Sequence, residues 1–410
     1  VQEDAWDVIV VGAGAAGLMA ALRAAERGRR TLLLEKNRRP GIKILMSGGT
    51  RCNITHDCDN RGIVAAFGPN GKFLHSSLAQ FGVQQTLDFF HAEGVQTKVE
   101  ETGKVFPVSD RASDVLDALV RRTHRSGAVL SLEEPLLDLT REGEQFFLRT
   151  PRQTLTANRV VLTTGGKSYP GSGTTGDGYA WAQHFGHRIV PLRPALAPIS
   201  TSDAWLKELQ GLTLPSVALT ILDGDKKLAS HSGSLLFAHF GLSGPVALDV
   251  SREVAGHPSP ASLRLYIDVS PALREADLDE SLRQESLVNG KKLLATLLPP
   301  HIPRRLADLF LTMAKLPLDR KAAALGKDDR RKLVGLMKRF PVSINGTLGY
   351  KKAEVTAGGV ALDEVDSKTM QSKLVPGLFF AGEILDLDGR IGGFNFQAAW
   401  STGWAAGSAV

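Results

Sequence analysis

The chain has 410 residues, 43% hydrophobic and 22% charged, with a formal net charge of +6. That length suits roughly two or three domains, and the balance excludes a disordered or fibrous protein. No run of about 20 apolar residues is present, which argues against a helical membrane span. The only two cysteines, Cys52 and Cys58, exclude a disulfide framework and fit a reducing, cytoplasmic setting.

In chain order, the first apolar run, Val8 to Val11, predicts a strand. It opens into Gly12-Ala13-Gly14-Ala15-Ala16-Gly17 and an alanine-rich helical pattern. A second apolar run, Thr31 to Leu34, ends in Glu35. Strand, glycine turn, helix, strand and acid in this register form a dinucleotide-binding pattern. Gly12 permits the turn, Gly14 lets a pyrophosphate approach the backbone, and Gly17 lets the helix pack closely. The helix amino-terminus offers N–H groups, at Ala15 and Ala16 among others, and a positive dipole end to phosphate. Glu35, 21 residues after Gly14, suits a ribose with a free 2′-hydroxyl. That favours FAD or NAD over NADP and does not separate FAD from NAD. The stretch Val8 to Leu22 also has the hydrophobicity of a secretory signal. However, Glu3, Asp4 and Asp7 stand where such a signal carries positive charge.

Beyond Glu35 lies a polar, glycine-rich segment to Thr55 that carries Lys43, Ser47, Arg51 and Asn53. Helical periodicity covers Leu74–Glu93 and Ala112–Ser126, and strand patterns cover Ala128–Leu132, Gln145–Arg149 and Arg159–Thr164. The last of these runs into Thr164-Gly165-Gly166, where glycines let backbone approach a ligand. A glycine-threonine loop, Gly171 to Gly178, precedes a helix over Tyr179–Phe185. At Pro191 the composition changes. Strand-like runs at Val217–Leu222, Leu235–Phe240 and Leu263–Val269 predict a small β-barrel or sandwich. From Pro271 to about Phe340 the pattern is helical and charged, with breaks at Pro299, Pro300 and Pro303. Arg330, Arg331 and Lys332 read as a solvated helix face.

Near Val355 the glycine-rich style returns. A strand, Leu378–Ala381, leads to Gly382-Glu383, Asp386 and then Gly392-Gly393-Phe394-Asn395, followed by a small-residue helix over Gln397–Ala409. The chain therefore begins and ends with nucleotide-site chemistry. Asp386 is a candidate acceptor for ribitol hydroxyls. Gly392 and Gly393, at a helix amino-terminus, would favour negative charge on a reduced flavin.

The motifs GIKILMSGGTRCNIT (Gly41–Thr55), TTGGKSYPGSGTTGDGYAWAQHFGH (Thr163–His187), LLFAHFGLSGP (Leu235–Pro245), AEVTAGGV (Ala353–Val360) and GLFFAGEILDLDGRIGGFNFQAAWSTGWAAG (Gly377–Gly407) run through the chain. In them the sequence resembles the BaiN/YhiN-type bacterial FAD-binding oxidoreductases, also grouped as the aminoacetone oxidase family. It departs at Thr50, where the family often has a third glycine. The resemblance implies an α/β, Rossmann-like FAD domain of the glutathione-reductase type, discontinuous over residues 1–190 and 346–410. Between them it implies an insert, with a β-barrel (191–270 and 336–345) and a helical subdomain (271–335). It implies that Gly12, Gly14, Ala15, Gly17, Glu35 and Lys36 hold the ADP moiety. Lys43, Ser47, Gly48, Gly49, Arg51, Cys52 and Asn53 would run alongside pyrophosphate and flavin. Gly382, Glu383, Gly392, Gly393, Phe394 and Asn395 would complete the ring site, with Thr164, Gly165 and Gly166 nearby.

These expectations describe an FAD-dependent oxidoreductase acting on a small molecule by hydride transfer through flavin N5. It is either amine oxidase-like or an ene-reductase fed by NAD(P)H as a transient donor. Lys43 and, in the insert, His239 over the flavin are the candidate catalytic side chains, and Tyr169 is a candidate pocket residue. Cys52 reads as a packed residue more readily than as a redox thiol, since Cys58 is poorly placed to resolve it. No metal is expected. The scattered basic residues argue against a nucleic-acid partner, although an FAD-containing RNA-modifying protein is the alternative of a different class. A flavin-stabilised scaffold without turnover is the third reading.

Overall fold

The computed structural model describes residues 5–298 and 302–410. The expected helix breaks at Pro299 and Pro300 lie outside them. The chain divides into two units. One joins the residues up to Arg193 with Glu354–Val410, and the other is Pro194–Ala353.

In the first unit, strand β1 (Trp6–Val11), helix α1 (Ala15–Glu26) and strand β2 (Thr31–Leu34) form the expected turn of chain. β1 lies parallel between β2 and the strand Thr154–Leu162. The latter strand is a joint. Its first half pairs antiparallel with Gln145–Arg149, while Val160 to Leu162 pair parallel with Leu378–Phe380. Val129–Ser131 closes the far edge beside β2. Val8, Ile9, Val10 and Leu33 are wholly buried, as strands covered on both faces require.

The alanines of α1 and the small residues of the last helix, Phe394–Ala409, serve one close crossing. A Cβ on Gly403 would stand 2.4 Å from the Ala16 carbonyl oxygen, and one on Gly407 would stand 2.4 Å from that of Ala20. Only glycine allows backbones this close. Buried polar groups fix the last helix further. Trp400 Nε1 donates to the Ile54 carbonyl at 2.9 Å, and Thr55 Oγ1 donates to Gln397 Oε1 at 2.6 Å.

Two expected elements differ. Leu74–Glu93 is not one helix but two, His75–Gln80 and Val83–Ala92, because the chain turns extended at Phe81. Leu235–Phe240 is not wholly strand: the strand Lys226–Ala238 stops short, and His239 and Phe240 make the turn.

The second unit holds an antiparallel sheet. Its strand order is Phe340–Ser343, Arg264–Asp268, Thr213–Asp223, Lys226–Ala238, Gly241–Ser243, Ile199–Ser200 and Gly346–Thr347. The helix Pro245–Gly256 packs on it, and Glu275–Val288, Arg304–Met313 and Lys327–Lys338 form a helical part. Phe310 and Phe340 meet edge to face at 5.2 Å in its core. Arg330 does not belong to a solvated face as expected. It is buried and grips Asp279 through Nε and Nη2 at 2.8 and 3.1 Å, tying two helices together.

Gly403→Ala should force the first and last helices of the nucleotide unit apart and destabilise it by about 1–3 kcal/mol. Gly335→Ala, in an exposed helix interior with nothing within 4 Å of the added Cβ, should instead stabilise by about 0.5–1 kcal/mol. Thermal melts of the two variants check the contrast.

Candidate functional site

The three glycines of the first turn differ in what surrounds them. A Cβ on Gly12, where φ is +102°, would stand 2.8 Å from the Thr163 carbonyl oxygen. One on Gly17 would overlap the Gly12 carbonyl at 1.8 Å. Around Gly14 there is nothing within 4 Å. Two glycines therefore serve packing and the third leaves a cradle. Gly14 caps α1, no side chain bonds to that terminus, and no acid sits in the first turn, which holds Ala15, Ala16 and Gly17. Its N–H groups and dipole suit an anion. Glu35 is buried at the same turn. Its Oε2 accepts from the Ala13 N–H at 2.9 Å, and its Oε1 accepts from the Asn37 backbone and side-chain nitrogens at 2.9 and 2.8 Å. Each carboxylate oxygen can accept more than one hydrogen bond, so Glu35 is held in place yet can still receive a hydroxyl. An open glycine, an uncapped helix start and an oriented carboxylate fit the ADP part of FAD. Lys36 turns to the next loop, donating to Thr175 Oγ1 at 2.7 Å and pairing with Asp177 at 2.6 Å.

A second cluster gathers four segments. Lys43 Nζ donates to Ser168 Oγ at 2.9 Å and pairs with Glu383 Oε2 at 2.5 Å. Ser168 Oγ and the Thr356 N–H donate to Glu383 Oε1 at 2.8 and 3.0 Å. Thr356 Oγ1 accepts from the backbone N–H groups of Lys167 and Ser168. Gly166 lies against this cluster, since its Cβ would meet Thr356 Oγ1 at 2.3 Å and Glu383 Oε1 at 2.8 Å. Gly165, at φ +70°, turns the chain into it, and Thr164 Oγ1 is buried without a hydrogen-bond partner. Gly382 brings Glu383 beside α1, its Cβ position being 2.8 Å from that of Ala16. Lys43 and Glu383 thus join the first turn to the late glycines. Ser168 and Thr356 were missed in the sequence, as was His56, described below. Their only signal is proximity to glycine runs.

Between Ser47 and Asn53 the backbone is left-handed at Gly48, Gly49, Thr50 and Cys52. Thr50, the departure from the family pattern, sits at φ +71°, an unfavourable place for a β-branched residue. Ser47 Oγ is bonded to the Ile44 carbonyl. Arg51 lies 3.9 Å over the Phe106 ring and pairs with Glu100 and Asp110. Asn53, with its amide oriented to satisfy its neighbours, donates to Val105 and Thr55 carbonyls and accepts from the Gly393 N–H at 2.9 Å. These side chains brace the loop, whereas its backbone carries the unusual conformation. Cys52 is fully buried, and burial pushes its thiol up to about 12.

At the late turn, Gly393 caps the last helix at φ +92°, and a Cβ there would stand 2.4 Å from the Thr55 carbonyl oxygen. Gly392 lies beside His56, whose Nδ1 is 2.9 Å from the Gly392 carbonyl. The His56 ring stacks on Phe394 with centroids 4.5 Å apart. Asn395 is committed within its own loop: Oδ1 accepts from the Gly389 N–H at 2.8 Å and Nδ2 donates to the Gly389 carbonyl. Asp386 accepts from Asn70 Nδ2 through both its carbonyl and its carboxylate. Tyr169 is left-handed at φ +52°. In the second unit, His239 is exposed in its turn, against Phe240.

The family described as HI0933-like protein Rossmann domain matches residues 6–409. The chain belongs to this family of FAD-dependent oxidoreductases. It is 34% identical over 403 residues to the ribosomal RNA dihydrouridine synthase of Escherichia coli, covering 98% of this chain and 96% of that protein. It is 30% identical over 408 residues to the 3-dehydro-bile acid delta(4,6)-reductase of Clostridium scindens, covering 98% of each. Among solved structures it is similar to the 3-ketosteroid-delta4-(5alpha)-dehydrogenase of Rhodococcus jostii. That match has a TM-score of 0.54 at 15% identity, covering 100% of this chain and 98% of the other. This last likeness shows the α/β flavoprotein fold. Among the described residues no helix is long and apolar enough to cross a membrane.

Glu35→Ala should lose FAD during purification, and full flavin content in that variant would remove the ribose role. Cys52 should resist iodoacetamide in the native protein from neutral to mildly alkaline pH, because its thiol stays protonated and enclosed. Mass mapping that found Cys52 alkylated as fast as the half-buried Cys58 would contradict this.

Proposed function

We propose that this protein is an FAD-dependent reductase of a carbon–carbon double bond conjugated to a carbonyl, with uracil in ribosomal RNA as its substrate and NAD(P)H as its electron donor. One observation carries the reading. Relatives matched along nearly the whole chain are named for a ribosomal RNA dihydrouridine synthase, in Escherichia coli and again in Haemophilus influenzae at 32% identity. Another is named for a bile-acid enone reductase. Their substrates differ, but the named reactions share the addition of hydrogen across a double bond activated by a carbonyl. This reverses the expectation against nucleic acid and takes up the RNA alternative. The amine-oxidase reading has no comparable support.

When bound, FAD supplies the hydride chemistry at N5. The residues around it have separate tasks in this proposal. Gly14 and the start of α1 receive the pyrophosphate, and Glu35 receives the adenosine ribose. The backbone at Gly48, Gly49, Thr50 and Cys52, left-handed at each, and the turn at Gly392 and Gly393 would border the flavin, and His56 stacks on Phe394 beside that turn. Reduction of a conjugated double bond also needs a proton on the carbon next to the carbonyl. Lys43, braced by Ser168 and Glu383, is the proposed source of it. Cys52 is unsuited to that task, since it is buried and holds its proton to high pH.

Anaerobic NADPH or NADH should bleach the flavin band of the purified protein. The protein should then add two hydrogens to uridine in ribosomal RNA from a strain lacking its own rRNA dihydrouridine synthase, as read by nucleoside mass spectrometry. If neither donor bleaches the flavin and a primary amine such as aminoacetone does, the reductase reading is wrong. Lys43→Met should keep its flavin and its bleaching by NAD(P)H, yet lose about 10²-fold or more in uridine reduction, the usual scale for removing a general acid.

A further inference from the structure

Charge is divided unequally between the two units. The flavin unit carries 27 Lys and Arg against 27 Asp and Glu, whereas Pro194–Ala353 carries 22 against 16. The entire net charge of +6 therefore belongs to the insert. Within it, residues 271–338 hold 14 basic against 9 acidic side chains, so the excess is concentrated in the helical part.

Much of that basic set is occupied internally. Arg274, Arg283, Arg304, Arg320, Arg330 and Lys338 each pair with a carboxylate. Lys291, Lys292 and Lys321 do not pair within 4 Å among the described residues, and all three are exposed. The backbone sets them side by side. Leu293 bridges Lys321 antiparallel, the Ala322 N–H donates to the Lys292 carbonyl at 3.0 Å, and the Ala323 N–H donates to the Gly290 carbonyl at 3.0 Å. Glu285 is one turn away but is engaged by Asn289 Nδ2, and Asp319 is the other acid on these segments. Directly before the lysine pair, at the end of the helix Glu275–Val288, Leu287 is 69% exposed and Val288 is 80% exposed. These two adjacent residues present an exposed apolar spot beside the lysines.

We infer that this tip, Leu287 and Val288 with Lys291, Lys292 and Lys321, is an RNA-docking surface. The inference rests on the proposed action on ribosomal RNA. Lysines without carboxylate partners suit phosphates, whose neutralisation gives most of the affinity of such surfaces. The apolar pair suits the face of an unstacked base or a ribose, the features of irregular RNA that proteins read. A base must leave its stack before an enzyme can act on it, so the RNA that such an enzyme meets is irregular.

The test uses the full flavin-loaded protein and ribosomal RNA transcribed in vitro, which carries no modifications. Filter binding over a range of salt gives the affinity and its salt slope. K291E/K292E/K321E should weaken binding more than 10-fold near 0.1 M salt and flatten the slope by about 0.7 for each phosphate no longer neutralised. Leu287→Ser with Val288→Ser should weaken binding without changing the slope. K226E/K227E, two charge reversals at a hairpin tip of the same unit, is the control and should change little. Flavin content and bleaching by NAD(P)H should be unaltered throughout. Equal affinity and slope for the triple variant and the wild type would overturn the docking surface, even if the wild type reduces uridine. A wild type that makes no dihydrouridine, but whose RNA binding disappears with the three lysines, would keep the docking surface and sink the proposed reaction.

Discussion

The close crossing of the first and last helices of the nucleotide unit is the constraint on which the rest depends. The residues around Gly14 and those around Gly382 and Gly393 lie more than 360 positions apart. They are brought near one another where Gly403 and Gly407 let one helix rest on the Ala16 and Ala20 carbonyls of the other. Any side chain there would need the space that backbone occupies. The crossing explains two compositional oddities at once, the alanines of α1 and the small residues of the last helix. It also explains why an insert of 160 residues can interrupt the unit: the sheet is completed by Leu378–Phe380 pairing on Thr154–Leu162, not by chain proximity.

Electrostatics then divides the site into two kinds of group. Arg51, Lys36 and Asn395 are bonded to protein partners and set loop shape. The Gly14 end of α1 and the Gly393 end of the last helix carry no capping side chain. Most natural helices satisfy their first N–H groups with a nearby Ser, Thr, Asp or Asn. The Gly14 start, opened by glycine and clear of side chains, leaves donor capacity that suits the pyrophosphate of a dinucleotide. The Lys43–Glu383 pair is different again, since it and its partners Ser168 and Thr356 come from four segments and both side chains keep some exposure. The pair is part-buried and hydrogen-bonded by Ser168 and the Thr356 backbone, which holds both charges in fixed positions.

Legibility in the sequence followed the chemistry of each residue. Gly12 and Gly17 were readable because a Cβ at either would meet backbone, and the strand, helix and strand that end in Glu35 because their spacing follows from one helix and one strand. Ser168, Thr356 and His56 were not readable. They are ordinary polar residues whose contacts arise when distant segments meet, 188 positions apart for Ser168 with Thr356 and 336 for His56 with Gly392. Arg51 and Asn395 are residue types that fit a ligand, and in the structure Arg51 pairs with Glu100 and Asn395 bonds to the Gly389 backbone. Thr50 departs from a glycine pattern that the backbone still obeys, as its φ of +71° shows. Phe81 broke a helix that periodicity alone had joined, because periodicity records which face is apolar and not where the chain turns.

The separation of charge bears on how one chemistry could serve substrates as unlike as a steroid acid and a ribosomal RNA. Hydride chemistry asks of the protein only a fixed flavin and a proton source, and the flavin unit is electrically neutral overall. Recognition of a polyanion asks for cations that no carboxylate has already claimed. In this chain Lys291, Lys292 and Lys321 are such cations, and the internally paired arginines beside them hold the helices of that part in place. Selection on Lys291, Lys292 and Lys321 could therefore retune the partner without disturbing either the core salt bridges, such as Arg330 with Asp279, or the backbone that carries the cofactor. On this view the family's range of named substrates reflects change at exposed insert positions, while the glycine crossing, which tolerates no added atom, stays as it is.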